Sequence, residues 1–313
     1  MGGKIAFLFP GQGSQSIGMG HDMMLEFPEV KGIFEQVDEI CRKPISRLCF
    51  EGPLDELTLT ANLQPAITAV NLACLKALNQ SGIRPGISAG HSLGEFSALV
   101  SAGVISGYDA LRLVKSRGEL MHRESLENPG VMAAVLKMDI NAVGKIVIQA
   151  GEKGIISIAN HNTAEQIVIT GEKDPISYAI DLVENNGGKA IPLKVSGAWH
   201  CSLMKNAVDE FREFMEAISF SGPETAILLN ATAGNEIDPK KIKDIMAQQL
   251  ISPVKWHDII LKMIEDNVDV FVEVGPKKVL TGLLKKIIPR ESEVKVYNVE
   301  DMKSLKLFLE KIT

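Results

Sequence analysis

Aromatic residues are few, at 5% of 313, they are not interleaved with runs of Lys or Arg, and the formal net charge is only −6. A chain without a basic field or stacking platforms is not built to hold a nucleic-acid backbone, so nucleic acid is not an expected partner. Cysteine is scarce: the thiols at 41, 49, 74 and 201 include no CxxC pair, which excludes a disulfide framework and leaves free thiols as the expectation. Histidine is scarce as well. The six residues at 21, 91, 122, 161, 200 and 257 form no HExxH motif or other close ligand pair, so spacing gives no support for a metal site. Apolar runs stay well below the roughly 18 residues of a membrane span, and Ile5 to Phe9 is too short for the apolar part of a signal peptide. The expected location is the cytoplasm, with no membrane partner. What remains is ordinary globular composition, 45% hydrophobic and 23% charged, which excludes disorder and collagen-like architecture. The length allows about two domains, or one large α/β domain carrying an insertion.

An alternating α/β rhythm runs along the chain. Residues 4–9 (KIAFLF) read as a buried strand stopped by Pro10-Gly11-Gln12-Gly13. Apolar stripes at helical spacing cover Pro28 to Cys41 and Gln64 to Gln80. Ile87 to Ala89 reads as a short strand, Gly90 to Gly94 as a sharp turn, Glu95 to Ala102 as a helix of small residues, and Tyr108 to Leu126 as a further helix. Beyond Asn128-Pro129-Gly130 the order becomes βαββαβ, ending near Val195, which is the pattern of a ferredoxin-like unit. The expectation is an α/β protein with a large hydrolase-like catalytic subdomain (1–127 and 198–313) on a mostly parallel sheet, and an inserted small ferredoxin-like subdomain (128–197). The alternative, that the inserted elements extend a single sheet, stays open. The body resumes with a helix from Cys201 to about Ile218 and a strand at Thr225 to Leu229. Helices near 239–250 and 254–266, a strand at Val270 to Val274, and a helix at Val279 to Ile288 follow. Bodies of this kind carry their active sites at the carboxyl ends of the strands.

Gly90-His91-Ser92-Leu93-Gly94 is a GxSxG element between a strand and a helix, the context in which such a turn exposes a strained serine hydroxyl. Ser92 is therefore the candidate nucleophile, and the Leu93 N–H, at the helix start, points towards any oxyanion formed there. A serine needs a base within hydrogen-bond reach. Spacing alone does not single out one histidine: His91 adjoins the serine and is expected to pack behind the turn, whereas His200, in Ser196-Gly197-Ala198-Trp199-His200, lies on a loop that could reach over it. His200 is the favoured base. No Asp or Glu lies within eight residues of it, so its orienting acceptor is either a distant carboxylate or a backbone carbonyl.

Six segments in order carry a resemblance: Phe9-Pro10-Gly11-Gln12-Gly13-Ser14-Gln15, Gly90 to Glu95, Arg117-Gly118-Glu119-Leu120-Met121, Val195-Ser196 with His200, Gln249-Leu250 with Pro253-Val254 and Trp256, and Val272-Glu273-Val274-Gly275-Pro276. Together they resemble the malonyl-CoA:acyl carrier protein transacylases of type II fatty acid synthesis, and the related acyltransferases of polyketide synthases. The resemblance implies an S-malonyltransferase with a Ser92–His200 dyad, the base being oriented by a backbone carbonyl near Gln249. It further implies an oxyanion hole from Gln12 and the Leu93 amide, and Arg117 on the free carboxylate of malonyl. A planar, permanently charged guanidinium suits that task, although Arg117 read without the family is a surface ion pair. Malonyl-CoA, as substrate, and acyl carrier protein are the implied partners. No cofactor or metal is implied, and the expected state is a monomer.

Leu93 and Trp199 resemble the malonyl-selective pattern, with Met121 and Met132 also expected to shape the acyl pocket. The family commonly has Pro-Phe-His or Ala-Phe-His where this chain has Ala198-Trp199-His200. Because carrier proteins are acidic and this chain is net negative, docking requires a local basic patch. The candidates are Lys277, Lys278, Lys285, Lys286 and Arg290, or Lys240, Lys241 and Lys243. A free-standing polyketide synthase acyltransferase, or an acyl hydrolase of the same fold, is the alternative function.

Overall fold

The computed structural model describes residues 4–289 and 291–312. Its strands are β1 (Lys4–Phe9), β2 (Ile87–Gly90), β3 (Val131–Leu136), β4 (Ile156–Thr163), β5 (Gln166–Gly171), β6 (Lys189–Pro192), β7 (Ala226–Ile227), β8 (Val268–Val274) and β9 (Lys295–Val299). They form two separate sheets, one of order β7-β2-β1-β8-β9 and one of order β4-β5-β3-β6. All pairings in the first sheet are parallel and all in the second antiparallel. The alternative of one extended sheet is thereby set aside. In the second sheet the first and second strands of the βαββαβ run are separated by the third, the split arrangement of a ferredoxin-like unit.

The parallel sheet is covered on both faces, which explains why β1 reads as a continuous apolar run rather than an alternating one. Successive side chains still point to opposite faces. Phe7 and Phe9 enter the larger buried cluster, which contains most of the helix Thr60–Gln80, whereas Ala6 and Leu8 enter a second one around Trp256 and Phe271. The antiparallel sheet has its own apolar layer, formed by Ala133, Val135, Ile167 and Ile169 against the helices Ile140–Ala150 and Lys173–Asn185.

Several elements depart from their expected bounds. The helix expected from Gln64 begins at Thr60 and carries Pro65 inside it; a proline lacks the N–H that continues the ladder, so the pattern reads as a start there. The strand expected over Thr225 to Leu229 shrinks to Ala226–Ile227, because Leu228 also bridges Asn235 and the chain turns away. The last strand of the small sheet ends at Pro192 instead of Val195. Sequence patterning missed the short helices His21–Glu26, Ile45–Glu51 and Leu54–Thr58, and also β9 with the helix Met302–Ile312. β9 is an edge strand with only its last residue buried, so it has no apolar alternation to read.

Candidate active site

Where β2 ends, the chain makes a turn that only a particular sequence tolerates. A Cβ on Gly90 would meet the Gly94 carbonyl carbon at 2.0 Å, and one on Gly94 would meet the Phe9 oxygen at 1.9 Å. Both glycines are required by close backbone approach rather than by flexibility. Between them Ser92 adopts φ 50°, a left-handed conformation that costs a side-chain-bearing residue on the order of 1–3 kcal/mol. The turn is held from outside: the Ser92 N–H donates to Asn230 Oδ1 at 2.7 Å, and the Ser92 carbonyl accepts from Gln249 Nε2 at 2.9 Å. Asn230 also donates through Nδ2 to the Gly90 carbonyl at 2.7 Å, so a single amide braces both arms of the elbow.

His200, buried and likewise at positive φ (62°), faces the serine, with Nε2 2.8 Å from Ser92 Oγ. Its Nδ1 lies 2.9 Å from the Gln249 carbonyl and 3.1 Å from that of Ser252. Two carbonyls can only accept, so Nδ1 carries the proton and Nε2 presents a lone pair to the hydroxyl. Burial, together with the nearby Arg117 charge, pushes the imidazole pKa down to about 3, which keeps the ring neutral.

Arg117 projects from the helix Gly107–Glu127 and is fully buried, which removes the surface ion-pair reading. Nη1 donates to Gln64 Oε1 at 2.8 Å; Nη2 donates to Gln249 Oε1 at 2.9 Å and to Ser92 Oγ at 3.2 Å. The guanidinium lies 5.7 Å from the Phe96 ring centroid, and its Nε has no partner among the described residues. Burial lowers its pKa to about 10, so it stays charged at neutral pH. The carboxylate in this network is Glu95, fully buried, which accepts from the Asn230 N–H at 2.7 Å and from Gln249 Nε2. Burial pushes its pKa up to about 7.

The structure thus brings Ser92, His200, Arg117 and Gln249 into one hydrogen-bonded group. Gln12 does not join it directly: half-buried on the loop after β1, it donates through Nε2 to Thr60 Oγ1 at 3.3 Å. That loop nevertheless abuts the elbow, since a Cβ on Gly11 would sit 3.5 Å from the Leu93 nitrogen. The Leu93 N–H itself makes no backbone hydrogen bond among the described residues. His91 points away, with Nε2 2.8 Å from Asn162 Oδ1 and its ring packed against Trp256 at 5.4 Å. Leu93, Trp199, Met121 and Met132 are all buried in the larger apolar cluster. Met121 is also tied to the group, its Sδ accepting from Gln64 Nε2 at 3.3 Å, whereas Met132 lies on β3 of the other sheet.

Sequence reasoning assigned no part to Gln64, Glu95, Asn230, Ser252 or the Gln249 side chain. Glu95 and Gln249 stood within the segments that carry the family resemblance, and a carboxylate inside a helix of small residues was a usable signal. Asn230, after a two-residue strand, gave none. Of the lysines, Lys277, Lys285, Lys286, Lys240 and Lys241 are exposed, Lys278 pairs with Glu300 at 3.7 Å, and Lys243 pairs with Glu216 at 3.6 Å. Arg290 lies outside the described residues.

The family model described as "Acyl transferase domain" matches residues 6–307. Malonyl CoA-acyl carrier protein transacylase of Bacillus subtilis (strain 168) is 41% identical over 309 residues, covering 98% of this chain and 96% of that protein. Among solved structures, an acyl carrier protein S-malonyltransferase from Vibrio cholerae superposes with a TM-score of 0.93 at 38% identity, covering 97% of this chain and 99% of that one. A malonyl-transacylase in complex with its type II PKS acyl-carrier protein gives a TM-score of 0.93 at 35% identity, with 98% and 99% coverage. A model match across nearly the whole chain, joined to full-length relatives sharing both sheets and sequence, establishes that the chain belongs to the acyl transferase family, in its malonyl-CoA:acyl carrier protein transacylase branch.

Proposed function

We propose that this protein transfers a malonyl group from malonyl-CoA to the phosphopantetheine thiol of acyl carrier protein, through a malonyl ester on Ser92, in fatty acid biosynthesis. The observation that carries the reading is the double engagement of Ser92 Oγ, by a neutral imidazole at 2.8 Å and by a buried guanidinium at 3.2 Å. In the first half-reaction the hydroxyl proton passes to His200 Nε2 as Oγ attacks the thioester carbonyl. The carbon–sulfur bond then breaks, and the leaving CoA sulfur takes the proton back. In the second, His200 deprotonates the carrier thiol, the thiolate attacks the ester carbonyl, and as the ester carbon–oxygen bond breaks the imidazolium returns the proton to Ser92 Oγ. Throughout, the Gln249 and Ser252 carbonyls hold the imidazole in one tautomer and stabilise its charged form, so no third carboxylate is needed.

Gln12 and the Leu93 amide serve as oxyanion donors, the second being the amide left over at a helix start. Arg117 binds the malonyl carboxylate, exchanging part of its present hold on Gln64 and Gln249 for a charge-assisted fork. Leu93, Trp199, Met121 and Met132 shape the acyl pocket against a methyl branch. The small unit, residues 128–197, covers the large one and limits water at the ester. Nucleophile, base and anion binder are all protein groups, so the chemistry requires no cofactor; coenzyme A thioester is substrate. Acyl carrier protein docks on a basic patch, either Lys277, Lys278, Lys285, Lys286 and Arg290 or Lys240, Lys241 and Lys243. The protein acts as a cytoplasmic monomer; no helix of the described residues is long and apolar enough to cross a membrane.

Intact-protein mass spectrometry after exposure to a panel of acyl-CoA thioesters tests the reading. A single malonyl adduct is expected, absent in Ser92→Ala and discharged by carrier protein. An adduct that persists in Ser92→Ala, or that prefers methylmalonyl, would overturn the corresponding assignment.

A further inference from the structure

Chain spacing offers no close pair of metal ligands, yet the fold assembles one from residues outside the hydrogen-bonded group at Ser92. His161 lies on β4, the edge strand of the antiparallel sheet. The outer edge of β4 is joined to the body of the protein by the segment after Gln249: the Val254 N–H donates to the Ala159 carbonyl at 2.8 Å, and the His161 N–H donates to the Val254 carbonyl at 2.9 Å. The chain then enters the helix Trp256–Glu265, whose first turn carries His257 and Asp258. These hydrogen bonds bring His161 against that turn. The two imidazoles lie 4.6 Å apart, inclined by 39°. Nδ1 of His161 and Nδ1 of His257 are each 3.6 Å from the same Asp258 oxygen, and three potential ligand atoms fall within 4.8 Å of one another.

Those separations are too long for N–H···O hydrogen bonds, which run to about 3.2 Å. They do match the edge of a coordination tetrahedron: ligands bound at 2.0–2.2 Å around zinc lie about 3.3–3.6 Å from each other. His257 Nδ1 is buried with no hydrogen-bond partner among the described residues, a deficit that a bound cation would cancel. From these juxtapositions we propose that His161, His257 and Asp258 form a binding site for a zinc-type divalent cation that clips the antiparallel sheet to the helix following Val254.

Two imidazoles with one carboxylate suit Zn²⁺ or Co²⁺ and not Mg²⁺ or Ca²⁺, which take oxygen ligands. The Asp258 side chain is 48% exposed, which leaves an entry path and room for a water as fourth ligand. Thiols do not compete: all four cysteines are buried, and burial raises their pKa values. The role is structural. Asn162, which follows His161 on β4, bonds His91, and Trp256, adjoining His257, packs on the same His91 ring, so the clip stiffens the support behind the Ser92 turn.

The test is titration of the untagged full-length chain with Co²⁺ and Zn²⁺, read by visible absorption and by calorimetry. One equivalent of Co²⁺ with a tetrahedral spectrum is expected, displaced by Zn²⁺, together with a higher Tm in Zn²⁺. His257→Ala and Asp258→Asn should each weaken uptake at least about tenfold, the smallest loss seen even for residues that only support metal ligands. His200→Ala should leave uptake unchanged. Because Asp258 is half exposed, Asp258→Asn gives a folded variant if His257→Ala does not. No saturable uptake, uptake unaltered in Asp258→Asn, or uptake lost in His200→Ala would overturn the site.

Discussion

Ser92 Oγ sits between His200 Nε2, at 2.8 Å, and Arg117 Nη2, which donates to it at 3.2 Å, and the Arg117 charge adds to burial in depressing the His200 pKa. This coupling sets the pH dependence. With its pKa near 3, His200 is unprotonated across pH 5 to 8, so acyl transfer should show no acid limb at the ordinary histidine pKa of 6.5. Steady-state rates with malonyl-CoA and carrier protein would reveal an ordinary histidine as an acid limb near that value. Removing the cation in Arg117→Ala should shift the acid limb of residual acetyl transfer to higher pH, since one cause of the depression is gone. The same variant should lose malonyl transfer roughly 10- to 100-fold more than acetyl transfer, the worth of a charge-assisted contact of about 1.5–3 kcal/mol. His200→Ala should lower the acylation rate by about 10²–10⁴, measured as adduct formation against time. The depressed pKa also bears on stability. Below 6.5 the unfolded chain takes up a proton that folded His200 refuses, so this residue's contribution to stability falls as pH drops from 6.5 towards 3. Glu95, raised to about 7, acts in the opposite sense, its contribution falling as pH rises from 4.5 through 7.

At the scale of elements, the elbow is a strand and a helix joined so tightly that two glycines are obligatory. Gly94→Ala would drive a Cβ to 1.9 Å from the Phe9 oxygen, and backbone cannot yield as a flexible side chain can. The expected result is loss of covalent malonylation together with destabilisation of about 1–3 kcal/mol or more, read by urea unfolding and by intact mass. A second element explains a motif with no part in the chemistry. Glu273, buried on β8, accepts from the Leu280 and Thr281 N–H groups at 2.9 and 2.7 Å and so caps the helix Val279–Ile287 from outside. Glu273→Ala should lower unfolding free energy by about 1–3 kcal/mol while leaving the malonyl adduct intact. This motif was legible as a pattern but not as a device, because the cap comes from a preceding strand and not from the helix's own first residues.

Across the whole molecule, parallel strands deliver their carboxyl ends to one side, so that the loops after β1, β2 and β7 meet beside Ser92. A net charge of −6 makes any attraction to an acidic carrier protein a matter of local lysines. Charge reversal of the exposed pair Lys240 and Lys241, or of Lys285 and Lys286, should raise the KM for carrier protein while leaving malonyl-CoA half-reaction rates unchanged; an unchanged KM eliminates the patch tested. Sequence alone determined the strand-turn-helix around Ser92, most of the alternating α/β rhythm and the βαββαβ order of the insertion, since these follow from spacing and apolar period within a few residues; that the inserted strands form a sheet of their own was decided by the tertiary structure. Sequence also named His200 and Arg117, through family motifs. Only the tertiary structure decided that Arg117 is buried, that Asn230 and the Gln249 side chain hold the serine turn, and that His161 meets His257 and Asp258. Those meetings join residues up to 157 positions apart, and they are set by how crossovers and sheet edges pack, which no local pattern encodes.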